Sequence, residues 1–170
     1  MQKKLIGGNL ADKNPEQEFS LQKTLNLPVI KSAGGLVYND NNHILLIFKR
    51  GKWDLPKGRF DIDSDSVETS LREISEETGL DRSHLTIKGK LVSTWHTTRH
   101  EKTKYLKKTH WFLVHYKGDD ADVSPQFEEG IIECRWVHLP DLDTYRHLLL
   151  PRIEYVIDFW LENLAYAPRL

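Results

Sequence analysis

GRFDIDSDSVETSLREISEETGL, residues 58–80, divides into two halves of different chemistry. The second half packs Arg72, Glu73, Glu76 and Glu77 into six positions and stops at Gly79, while the first is crowded with aspartate and serine. A helix is expected from about Asp65 to Thr78. Asp65 and Glu68 form a D-x-x-E capping box, and Ser64 is itself a competent N-cap. At 100° per residue, with Glu73 at zero, Glu76 falls at about −60° and Glu77 at about +40°. Three carboxylates therefore share one face. Val67, Leu71 and Ile74 fall at roughly +120°, +160° and +100°, a separate stripe that can enter a core.

Like charges at i,i+3 and i,i+4 cost an isolated helix a few tenths of a kcal/mol per pair. Arg72 can relieve Glu76, and Glu68 can pair with Arg72, but no cation lies among the three glutamates. Such a cluster is comfortable in open water or around a hard divalent cation such as Mg²⁺, Mn²⁺ or Ca²⁺. On the trio alone, a solvated acidic face is the commoner explanation.

Outward from this helix the chain alternates elements. VIKSAGGLVYN and HILLIFKR read as strands flanking NDNN, a hairpin signal. GKWDLPKGRFDIDS reads as loop, with Gly51, Pro56 and Gly58 as breakers. Beyond the helix, LTIKGKLVSTWHTT and KKTHWFLVHYK read as strands joined by the basic segment RHEKTKYL. GDDADVSPQFEEG is a long polar loop, and IIECRWVHL is a further strand. The C-terminal helix carries Ile153, Val156, Ile157, Trp160, Leu161 and Leu164 on one apolar stripe, with Pro151 suited to its first turn. Core packing is the reading preferred for that stripe, and a share in a homodimer interface is the alternative. Strands, helix, strands, helix predict an α/β sandwich with a mixed sheet.

The 170 residues suit a single domain, with residues 1–28 as a polar N-terminal extension and 29–170 as the folded unit. Hydrophobic content of 39%, with five tryptophans, argues against disorder. A net charge of −1 argues against a nucleic-acid or membrane partner, so a phosphate-binding surface has to be local. The single cysteine, Cys134, excludes an intramolecular disulfide and reads as a small core residue. With no apolar signal region and no membrane-length apolar run, a soluble, cytoplasmic protein is the expectation.

Glycine, five residues, glutamate, seven residues, then R-E-apolar-x-E-E-x-G-apolar is the signature of the Nudix hydrolases, and this chain resembles it closely. Gly58, Arg72, Glu73, Ile74, Glu76, Glu77, Gly79 and Leu80 match, and Ser64 stands where the family carries glutamate. AGGLVY, WDLPKG and RWVHL extend the resemblance over most of residues 29–139. It implies a Nudix-type α/β/α sandwich, and hydrolysis of a diphosphate bond in a small phosphorylated substrate. Dinucleoside polyphosphates and nucleoside triphosphates are favoured, with diphosphoinositol or ADP-ribose-type substrates, or a non-catalytic nucleotide-binding module, as alternatives.

The resemblance also implies Mg²⁺ or Mn²⁺, held by Glu73, Glu76, Glu77 and the Gly58 carbonyl, with Arg72 orienting Glu73. Glu73 itself, or Glu129 and its neighbour Glu128 from the polar loop, could serve as base. Asp63 or Asp65 could replace the carboxylate missing at Ser64. Two basic clusters flank the helix: Lys49, Arg50, Lys57 and Arg59, then Arg99, Lys104, Lys107 and Lys108. Lys57, Arg50, Lys108 and Tyr105 are the expected substrate-binding residues. Trp95 and Tyr105 are candidates to stack a nucleobase, whereas Trp111 reads as core. His96 and His100 have the spacing of a helical zinc pair, but their Thr-rich surroundings read as strand.

Overall fold

The computed structural model describes residues 25–166, so all but the last four residues of the expected N-terminal extension lie outside it. Seven strands form one mixed sheet. They are β1 (Val29–Tyr38), β2 (His43–Lys49), β3 (Lys52–Asp54), β4 (Lys57–Arg59), β5 (Leu85–His100), β6 (Thr103–Tyr116) and β7 (Ile131–His138). The path runs β3-β2-β1-β6-β5, with β4 paired to β1 and β7 to β2. β1 and β6 are parallel, whereas β1–β2, β2–β7 and β5–β6 are antiparallel. Helix α1 (Ser66–Thr78) covers one face and α2 (Pro151–Tyr166) the other. No helix among the described residues is long and apolar enough to cross a membrane.

Alternation along the strands builds a core on each side of the sheet. Ala33, Val37, Leu45, Phe112 and Val114 meet Ile74 of α1. Leu36, Ile44, Leu46 and Trp111 meet Ile153, Val156, Ile157 and Trp160 of α2. The expected α2 stripe is buried through Trp160 and then opens: Leu161 is half-buried and Leu164 is exposed. Trp111 is core, as read, and its indole N–H donates to Thr94 Oγ1 at 2.8 Å. Cys134 is half-buried at the margin of the α1-side core, with Sγ 3.8 Å from the Glu77 carbonyl.

Two connections differ from the sequence reading. GKWDLPKGRFDIDS is not all loop: it holds β3 and β4, and Arg50-Gly51 forms a two-residue turn with both residues at positive φ. That is the hairpin geometry matched to strand twist. RHEKTKYL is not a separate segment either. β5 and β6 run through it to a tight turn at Glu101-Lys102, and their pairing extends to His100↔Thr103. Cross-strand pairing outweighed the polarity of these residues.

α1 is also rotated from its expected facing. Its buried residues are Thr69, Ser70, Ile74, Glu77 and Thr78, which centre at about +60° on the scale set by Glu73. Val67 is exposed and Leu71 half-buried. Close approach at Gly35 explains the small residues on this face, because a Cβ there would lie 2.7 Å from Ile74 Cδ1. The rotation carries one acid, Glu77, into the interface between helix and sheet.

Candidate active site

Glu73, Glu76 and Glu77 face a cleft of about 570 Å³, with Gly58, Arg72, Lys57 and Glu129 also on its walls. β4 places Gly58 against α1 so tightly that a Cβ would come within 1.9 Å of the Glu73 carboxylate. Only glycine fits there, which gives the first residue of the motif a physical reason. Glu77 is 4% exposed and accepts from the Lys57 backbone N–H at 2.9 Å. Burial lifts its carboxyl to about 7, against the pull of Lys57. Burial also raises Glu73, opposed by Arg72.

Arg72 organises the rest. Its guanidinium meets Glu73 at 2.8 Å, Glu76 at 2.9 Å and the Arg59 carbonyl at 3.0 Å. Its Nε lies 3.0 Å from Asp61 Oδ2, an ion pair too oblique to count as a hydrogen bond. The pairing with Glu76 is as expected, whereas Glu68 goes to Arg82 instead, at 2.6 Å.

Asp61 is the site residue that the sequence reading missed. Neither Asp63 nor Asp65 lines the cleft. Asp65 caps α1, accepting from the Glu68 N–H at 2.8 Å, and Asp63 sits at φ 66 in the loop. Ser64 Oγ accepts from the Asp61 N–H at 3.0 Å and lies 2.9 Å from Thr69 Oγ1, closing the loop that presents Asp61 to Arg72. The signal was present, since Asp61 lies three residues before Ser64, but only the loop's fold aims its side chain at the arginine.

The basic residues sort by strand parity. Lys57 and Lys107 line the cleft, together with Lys49, Arg59 and His100. Lys49 reaches Glu129 at 3.7 Å, while Glu128 does not line the cleft. Arg50 lines an adjoining cavity. Lys108 does not reach the site: one residue from Lys107 on β6, it points to the opposite face and lies over the Trp95 ring at 5.1 Å. Tyr105 lines neither cavity, and Trp95, 2% exposed, is closed to a nucleobase. His96 and His100 stand on β5, not on a helix.

The donor set consists of carboxylate and carbonyl oxygens, the chemistry of a hard divalent cation. A buried carboxylate with a single backbone donor, Glu77, also fits one, because a nearby cation would relieve its desolvation. Among the described residues, no three such side chains stand close enough together to hold an ion as they lie. Arg72 draws Glu73 and Glu76 to itself.

The family model for the NUDIX domain matches residues 29–158. The chain belongs to the NUDIX family, and this membership makes it a hydrolase acting on phosphorus-containing anhydrides. An RNA pyrophosphohydrolase of Rickettsia conorii is 25% identical over 138 residues, covering 72% of this chain and 83% of its own. The fold is shared with a C. elegans Ap4A hydrolase solved as a binary complex, with TM-score 0.61 and 20% identity over 81% of this chain and 99% of that one. It is also shared with a Francisella tularensis NMN adenylyltransferase/ADP ribose pyrophosphatase complexed with AMP and a Mn ion. That match has TM-score 0.60 and 18% identity, covering 87% of this chain and 47% of the other.

Proposed function

We propose that this chain hydrolyses a diphosphate bond in a nucleoside polyphosphate-type substrate by attack of water at phosphorus. Dinucleoside polyphosphates and nucleoside triphosphates are favoured. The observation that carries this reading is one cleft in which Glu73, Glu76 and buried Glu77 face Lys49, Lys57, Arg59 and Lys107. Glu73, Glu76, Glu77 and the Gly58 carbonyl would hold Mg²⁺ or Mn²⁺. Such an ion, when bound, neutralises phosphate oxygens and lowers the pKa of a coordinated water.

The chain's own residues take the remaining roles. Lys57, Arg59 and Lys107 hold the phosphate oxygens, and Arg50 extends this contact into the adjoining cavity. Arg72 fixes the orientation of Glu73. Glu129, which faces the helix across the cleft and is tethered by Lys49, takes the proton of the attacking water.

A substrate panel tests the reading: dinucleoside polyphosphates, nucleoside triphosphates, ADP-ribose, diphosphoinositol phosphates and 5′-triphosphorylated RNA, each with Mg²⁺ and with Mn²⁺. Glu76→Gln is expected to abolish turnover with the thermal unfolding curve unchanged; retained turnover overturns the assignment. Tight binding of one compound with no hydrolysis of any would favour a binding module instead.

A further inference from the structure

The cleft adjoins a second cavity of about 480 Å³, with which it shares Lys49, Lys57, Arg59 and Lys107. Arg50, Lys52 and Arg152 add to the lining, so seven lysines and arginines face a single carboxylate, Asp54. That carboxylate is already engaged, accepting from Lys57 Nζ at 2.5 Å and from the Leu55 N–H at 2.8 Å. Among the described residues, Lys52, Lys107 and Arg152 have no ion-pair partner. Two buried nitrogens there, His96 Nδ1 and Arg152 Nε, have no hydrogen-bond partner.

Folding alone gives no reason for this gathering. Burial pushes Lys107 down to about 8, with Lys57 and Arg59 adding to the shift, and burial lowers Arg152 too. Arg152 also stands in the first turn of α2, where the helix dipole disfavours a cation. Lys52, His96, Lys107 and Arg152 come from four different elements, so no one polar strand or helix face accounts for them. Like charge concentrated this way destabilises the fold until an anion neutralises it. No Phe, Tyr or Trp ring lines the cavity, and its lining is dominated by cations suited to phosphate oxygens.

We infer that this cavity receives a phosphate-rich segment of the substrate, carrying at least two phosphates beyond the diphosphate that is cut, held by Lys52, Lys107 and Arg152. The inference rests on reading the neighbouring acidic cleft as the cutting site. The group it selects is compact and polyanionic, and the cavity reads the number of phosphates.

The diadenosine di-, tri-, tetra- and pentaphosphates hold the nucleosides constant and vary only the phosphates. With Mg²⁺, kcat/KM is expected to rise at least about tenfold from the diphosphate to the tetraphosphate, the scale of one charge-assisted contact. Arg152→Gln is expected to cut that ratio by about tenfold, mainly through KM, and to weaken competition by inorganic tripolyphosphate. If Arg152→Gln fails to fold, Lys52→Gln gives the same reading from the β2–β3 hairpin. Hydrolysis that is flat across the series, or a ratio unchanged in the variants, overturns the inference and leaves the cutting site standing. No hydrolysis at all, with calorimetric tripolyphosphate binding that Arg152→Gln weakens, supports the cavity and overturns the cutting site. Neither hydrolysis nor tripolyphosphate binding overturns both.

Discussion

The two walls of the cleft treat their charge in opposite ways. On the helix side, acids are held within the protein: Arg72 gathers Glu73, Glu76 and Asp61, and the Lys57 N–H meets Glu77. On the opposite side, where the cleft opens into the adjoining cavity, Lys52 of β3, Lys107 of β6 and Arg152 of α2 converge, and the one carboxylate there is engaged by Lys57. An acidic face that satisfies itself can fold before any ligand arrives. A basic surplus that one carboxylate balances only in part keeps its attraction for something outside the chain. In the function proposed above, α1 supplies orientation and chemistry, and the basic cavity captures the anion.

Gly58→Ala gives the largest effect expected for the helix wall. Its Cβ would lie 1.9 Å from the Glu73 carboxylate, so Glu73 must leave its place beside Arg72. The overpacking is expected to cost about 1–3 kcal/mol of stability, measurable by urea unfolding, with turnover falling at least about a hundredfold. Near-normal turnover would show that Glu73 does not need its observed position.

Asp61→Ala probes the same wall more gently. It frees the outer side of Arg72, and kcat is expected to fall about tenfold with little change in KM. Restoring the family's glutamate through Ser64→Glu in the Asp61→Ala background should recover part of the loss, because it offers Arg72 another carboxylate. A purely structural role for Asp61 would not be rescued this way.

His96 probes the strand wall, with the smallest effect. Burial, reinforced by Arg152 and Lys107, pushes it from 6.5 down to about 3, so the folded protein keeps it neutral while the unfolded chain protonates it. Between those values the unfolded state binds more protons, and stability contributed at higher pH is lost as pH falls from 6.5 toward 3. His96→Gln is expected to lower Tm less than wild type does between pH 6.5 and 4.5. The difference is roughly 2–4 °C, about 1 kcal/mol once partial exposure is discounted. Equal drops would place His96 in a wetter setting than the cavity.

Local pattern made much of this molecule legible. The 3.6-residue period placed α2, the capping box and acidic motif placed α1, and alternation placed the long strands. The fixed spacing of Gly58 and Arg72-Glu73-x-x-Glu76-Glu77 brought the acids to one cleft. Lys107 and Lys108 show where legibility stops. Both belong to one basic run, and the parity that separates them depends on register with β5, in which Lys107 pairs with His96 and Lys108 with Trp95.

By itself, then, the sequence determined that α1 is helical, that it carries three acids, and that a glycine precedes them at family spacing, because each is a property of neighbouring residues. Only the tertiary structure decided that Glu77 turns into the helix–sheet interface, that Asp61 pairs with Arg72, and that Arg152 joins Lys52 and Lys107. The physical reason is common to all three. Helix rotation, loop closure and the docking of α2 are set by packing between elements distant in sequence, and no local period records it.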